Sequence, residues 1–170
     1  MDTKKWFNRQ FDFNTTSDLA AICKRLEETP AQLQNVCRHI ADTTLEHKPG
    51  NTWSVKEHIG HLSLLEPLWR TRFEDISQGK AQLTPADLEN RATSAAGFNN
   101  YSISTLLEAF KKERALTLTM LERMNADDLR KTSLHPRLQQ QMRIADLAYF
   151  VAEHDAHHLE RILQLKEQHE

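Results

Sequence analysis

Two histidines four residues apart carry the first chemical signal in this chain: His154 and His158, in the run Glu153-His154-Asp155-Ala156-His157-His158. On a helix that spacing places both imidazoles on one face, a turn apart, within reach of a single metal ion. The apolar stripe Ile144, Leu147, Ala148, Val151, Ile162 and Leu165 passes through the same positions, so the pair points into the protein. Buried ring nitrogens need partners. The pair is therefore either hydrogen-bonded within the core or bound to a metal.

A catalytic centre of the zinc type takes three protein ligands and leaves a position open, so a third ligand must come from elsewhere. His58, His61 and His135 are candidates by position, and Glu57, Glu66 and Glu153 are carboxylate candidates for which capping or solvation competes. On a helical wheel His58 falls nearer the centre of its apolar stripe and His61 at the edge, so periodicity alone favours His58 as the buried one. His154 to His158 also reads as HDxxH, one methylene short of the HExxH of zinc peptidases. The shorter aspartate would sit too far from a metal-bound water to act as its base. The chain also lacks the strand-rich lobe that holds an extended peptide, so the motif is read as ligand spacing without peptidase chemistry.

The elements that position these residues are helical. Four Gly, five Pro and few β-branched runs in 170 residues favour an all-α chain. An aromatic arm spans residues 1–16, with Trp6, Phe7, Phe11 and Phe13 packing it onto the bundle as an extended segment. A helical turn covers Asp18 to Glu28, and Thr29-Pro30-Ala31-Gln32 reads as the start of a first bundle helix running to Ala41. Ser54 and Glu57 form a capping box that opens a second helix through Val55, Ile59, Leu62, Leu65, Trp69, Phe73 and Ile76 to Ser77, with Gly79 beyond its end. Residues 80–101 are polar and small, with a one-turn helix expected at Thr84-Pro85-Ala86-Asp87 and a loop at Ser94-Ala95-Ala96-Gly97. A connection this long can span a helix, so the helices on either side could run parallel. The third helix runs from Ser102 to about Asn125. An ordered loop without strands carries His135-Pro136-Arg137, and the last helix extends from about Arg143 to Gln168. The expected architecture is a four-helix bundle with a long crossover between helices 2 and 3, in one domain of residues 1–170.

Charge and composition narrow the partners. Lys plus Arg total 22 against 24 Asp plus Glu, without blocks of like charge, which excludes an electrostatic footprint for nucleic acid or an anionic membrane. No segment is apolar enough to span a bilayer, and Cys23 and Cys37 lack metal or redox spacing. A cytoplasmic protein acting on small molecules is expected. Trp53 and Trp69 are read as packing residues and Arg70 and Arg72 as water-facing, with the carboxylate of a thiol as their alternative partner.

Taken together, Trp53-Ser54-Val55-Lys56-Glu57-His58-Ile59-Gly60-His61-Leu62 and Glu153-His154-Asp155-Ala156-His157-His158-Leu159-Glu160-Arg161-Ile162 resemble the DinB-like family of four-helix-bundle metalloproteins. That family includes YfiT-type metal-dependent hydrolases and bacillithiol- and mycothiol-dependent transferases. The resemblance covers nearly the whole chain. It implies that the histidine of the Gly-His-Leu step, His61, joins His154 and His158 as a metal ligand, overruling the wheel-based preference for His58. His58 and His157 then lie behind the ligands or at the surface. The resemblance implies a divalent cofactor, Zn²⁺ or Ni²⁺, since imidazole suits both. The implied activity is hydrolysis or thiol-dependent S-transfer on a small molecule, with a low-molecular-weight thiol as co-substrate in the second case. It is compatible with a homodimer. The alternative is a non-catalytic metal-binding module associated with stress. Glu57 and Asp155 are candidates to orient ligands or move protons, and His135 is a candidate pocket residue.

Overall fold

The computed structural model describes residues 3–16 and 18–168. Its helices are α1 (Thr3–Phe7), α2 (Leu19–Cys37), α3 (Asp42–Glu46), α4 (Val55–Ser77), α5 (Arg91–Ala95), α6 (Ile103–Glu122) and α7 (Ile144–Glu167), with β1 (Ser133–Leu134) and β2 (Gln141–Met142) between the last two.

The long helices α2, α4, α6 and α7 form the bundle. Both α2 and α4 pack against α6 and α7, so α2 and α4, consecutive long helices in the chain, lie diagonally across from each other. Directions follow from two core clusters, one at each end. Ile59 and Leu62 share a cluster with Leu106 and Phe110, whereas Phe73 and Ile76 share the other with Leu121. Hence α4 and α6 are parallel, and the connection between them must travel the length of the bundle. By the same reasoning α2 and α7 run parallel to each other and opposite to α4 and α6. This is the expected four-helix bundle with a long crossover.

Local signals explain most helix ends. The capping box at α4 is complete: Glu57 N–H donates to Ser54 Oγ at 3.1 Å, and Ser54 N–H to Glu57 Oε2 at 2.9 Å. Gly79 leaves the helix at φ +69°. Ser102 caps α6 by accepting from Thr105 N–H, and Asp146 accepts the Arg143 N–H that opens α7.

Elsewhere the structure corrects the expectation. The turn at Asp18 and the helix expected from Pro30 are one helix, α2, which Asp18 caps at Ala21 N–H and which passes through Pro30 to Cys37. Proline supplies no N–H to the carbonyl four residues earlier. Arg114 of α6 fills that role, donating from Nη1 to the Leu26 carbonyl at 3.0 Å. Such a donor is invisible to local pattern. Thr84–Asp87 forms no helix, because the Thr84 N–H and hydroxyl both donate to Asp75 Oδ2; the short helix lies later, at α5. The arm is helical in part rather than extended, with Trp6 and Phe11 buried; its first two residues lie outside the described ones. The His135 loop is flanked by a short antiparallel pair, Ser133↔Met142 and Leu134↔Gln141. Two-residue strands leave no alternating signature to read.

Gly60 fixes how the crossover lies on α4. A Cβ at this position would stand 2.4 Å from the Phe98 ring, and Ser54 Oγ donates to Asn99 Oδ1 at 2.7 Å. The crossover is thereby held against the first turns of α4. None of the described helices is long and apolar enough to cross a membrane.

Candidate metal centre

α4 and α7 are antiparallel neighbours, so the first turns of α4 face the middle of α7. His58 and His61, a turn apart on α4, meet His154 and His158, a turn apart on α7. All four are buried. A ring nitrogen from each of His61, His154 and His158 lies within 4.8 Å of the others. Nitrogens bound to one ion at about 2.1 Å lie no more than about 4.2 Å apart, so small ring rotations would close the three around an ion. Trp53, just before the α4 cap, covers the cluster; its ring lies 4.6 Å from that of His61 and 6.0 Å from that of His158, nearly parallel to the latter.

Two of the three remaining ring nitrogens, on His61 and His158, are anchored in a way that frees the metal-facing ones. His61 Nδ1 stands 2.9 Å from Thr93 Oγ1 of α5, and with the hydroxyl accepting, Nε2 is left bare. His158 Nδ1 is 2.8 Å from His58 Nδ1, while its Nε2 faces His154 Nε2 at 3.1 Å. Two nitrogens so close are either joined by one proton or turned together toward a cation. His154 Nδ1 has no hydrogen-bond partner, nor does His157 Nε2, which lies beside Trp6.

Electrostatics favour the neutral ligand form. Burial, with His157 nearby, pushes His61 down to about 3. Burial and the neighbouring histidines hold His154 and His158 well below the ordinary imidazole value. Metal binding requires bare imidazole nitrogens, and neutral rings can supply them by a shift of tautomer with no net loss of a proton at neutral pH. The donor set fits a divalent metal ion.

The carboxylates considered as ligands are committed elsewhere. Glu66 accepts from Arg114 Nη2 at 2.7 Å and from Thr117; Asp155 accepts from Arg114 Nη1 at 2.6 Å and from Thr29. Glu57 completes the helix cap and pairs with Lys48, and Glu153 pairs with Arg9 and Arg25. Glu57 and Asp155, candidates to orient ligands or move protons, have both carboxylate oxygens bonded to Lys48 and Ser54 and to Arg114 respectively. Among the described residues, no fourth histidine, cysteine or carboxylate joins this group of three.

A cavity of about 220 Å³ opens beside it, walled by Trp6, Trp69 and Phe150 and reached by His61, His154, His135 and Arg72. His135 was a candidate pocket residue and stands in this wall. Arg72, expected to face water, is 2% exposed and lines it too, whereas Arg70 pairs with Glu113. Sequence reasoning missed Thr93, which lies in a polar connection without periodicity, and Trp6, whose arm gave no register against α7.

The family model of the DinB superfamily matches residues 25–162. The chain belongs to the DinB superfamily. Among solved structures, this DinB protein is similar to YfiT from Bacillus subtilis, described as a probable metal-dependent hydrolase with an unusual four-helix bundle topology. The TM-score is 0.75 at 17% identity, over 95% of this chain and 91% of that one. The likeness shows the bundle and its connectivity. No curated protein matches the chain.

Proposed function

We propose that this DinB protein is a divalent-metal-dependent hydrolase of a small molecule, with His61, His154 and His158 as the ligands. One observation carries the reading: three buried, neutral imidazoles converge with no fourth histidine, cysteine or carboxylate among the described residues in the group, at the wall of an aromatic cavity. Structural metal sites are closed by protein ligands, and catalytic ones keep a position for water or substrate. The description of YfiT as a probable metal-dependent hydrolase supports the same reading.

An ion bound there, Zn²⁺ or Ni²⁺, supplies Lewis acidity and lowers the pKa of water or a thiol. The protein's own residues do the rest. Thr93 and His58 hold the rings of His61 and His158 by their outer nitrogens. Trp53, Trp6 and Trp69 shield the cluster from bulk water, which strengthens every electrostatic interaction inside. The aromatic walls admit a small apolar body. A thiol-dependent S-transferase is the second reading, favoured by the same cavity, because an apolar wall beside an open position takes a thiol as readily as water.

Metal analysis of the purified protein tests the reading. The wild type should carry close to one equivalent of Zn or Ni and His61→Ala only traces, and the loaded protein should hydrolyse members of a small ester and amide panel. Equal trace metal in both proteins would overturn the site. Stoichiometric metal with S-transfer to an electrophile and no hydrolysis would select the second reading.

A further inference from the structure

Across the cavity from the histidine cluster, two hydrogen-bond donors are aimed at each other with nothing between them to accept. His135 Nδ1 receives the backbone N–H groups of Arg137 and Leu138, each at 3.2 Å. A nitrogen that accepts two such bonds holds a lone pair, so the proton of the neutral ring sits on Nε2. Arg72 Nη1 stands 3.3 Å from that Nε2, and a guanidinium has donors only. The two groups cannot bond each other. Both residues line the cavity, so an acceptor bound there would satisfy the two donors together.

Arg72 is also a buried charge without a counter-ion. Its Nε donates to the Thr84 carbonyl at 2.8 Å, but among the described residues no carboxylate lies within ion-pair distance of it. Asp75, the nearest acid in influence, is taken by Lys80 and Thr84. Asp87, at the cavity wall, accepts from the backbone N–H groups of Glu89 and Arg91. The contrast with Arg114, which has two carboxylates, is complete. A buried guanidinium left unpaired is costly unless a ligand completes it.

We propose that Arg72 and His135 form a clamp for a carboxylate on the substrate, one oxygen accepting from Arg72 Nη1 and the other from His135 Nε2. The Trp69 indole lies between the two ends of the cavity, its centroid 5.7 Å from that of the His154 ring and 5.5 Å from Arg72 Cζ. A molecule whose carboxylate occupies the clamp therefore lays its apolar part along Trp69 and brings its far end to the histidines. This assigns the substrate class as a small acid with an apolar or aromatic body. It rests on the cavity being the substrate site of the metal-dependent activity proposed above.

The test compares isosteric pairs, phenylacetate with phenylacetamide and butyrate with butyramide, by quenching of tryptophan fluorescence in metal-loaded protein. The acids should bind at least tenfold more tightly than the amides. R72M should abolish the preference. H135N, whose Oδ1 can take the place of Nδ1 in the loop but offers no donor at Nε2, should reduce it at least threefold; this second variant decides the matter if R72M does not fold. Equal response to acid and amide in the wild type, including none to either, would overturn the clamp. So would an acid preference that survives R72M and H135N but vanishes with EDTA, since the acid would then sit on the ion. An acid preference that persists in protein found to carry no metal would leave the clamp standing while the metal reading fell.

Discussion

His154 and Asp155 are neighbours in α7, yet their side chains serve opposite kinds of buried cluster. Asp155 turns toward α2 and α6, where it and Glu66 enclose Arg114, which is 1% exposed. Each charge there has a partner, and the Thr29 and Thr117 hydroxyls and the Leu26 carbonyl take up the remaining capacity. His154 turns toward α4, into a set of four imidazoles that keeps an unpartnered nitrogen and opens on a cavity. A closed network ties three helices together and repairs the gap at Pro30. An open one stores unmet bonding capacity, which is what a binding site needs. The difference separates scaffold from site within one turn of helix.

The largest expected effect breaks the closed side. Arg114→Met leaves two buried carboxylates and the Leu26 carbonyl unpaired, and should lower stability by about 3–5 kcal/mol in chemical denaturation. Metal binding should remain in whatever fraction folds. On the open side the order is reversed. EDTA should lower the stability of the wild type by about 2.7 kcal/mol relative to free metal at a hundred times its Kd, and should leave His61→Ala unmoved. A similar EDTA response in both would place the metal elsewhere.

Gly60→Ala sharpens the boundary between the two. In most helix interiors this change stabilises, but here the new Cβ meets the Phe98 ring, and repacking should lower stability by about 1–3 kcal/mol. Because the same crossover carries Thr93 to His61, metal affinity should fall as well. His58→Leu should weaken metal binding by about tenfold to a hundredfold, through loss of the partner at His158 Nδ1, with the histidine triad itself intact in competition titrations.

The last effect is read as a slope in pH. Burial, followed by Arg72 and Arg137, pushes His135 down to about 3. Between that value and the ordinary 6.5 the unfolded chain binds a proton that the folded one does not, so stability falls as the pH drops through this window. The slope for this one proton is at most about 1.4 kcal/mol per pH unit. His135→Asn should lessen the slope accordingly in melts of metal-free protein, and an unchanged slope would show that His135 titrates normally.

Several of these features could be read from the chain. The capping box at Ser54 and Glu57, the stripe of α7 and the polar run after Gly79 are local signals, and they set the long helices and the crossover. The continuation of α2 through Pro30 was hidden because its compensation comes from Arg114, 84 positions away by residue number. Periodicity favoured His58 over His61, yet both are buried, since the α4 turn that carries them is covered on several sides, by α7, the crossover and Trp53. Arg72 resembled a surface residue only because its covering, the His135 loop and the Thr84 segment, is not periodic.

The i, i+4 spacing of His154 and His158 was determined by the sequence itself, because side-chain direction on a helix follows from residue count alone. Which histidine of α4 meets that pair, where Asp155 turns, and which donors share the cavity were decided only when α4 and α7 packed antiparallel and the crossover folded back over Gly60. Those facts depend on contacts between residues far apart in the chain, and local spacing carries no record of them.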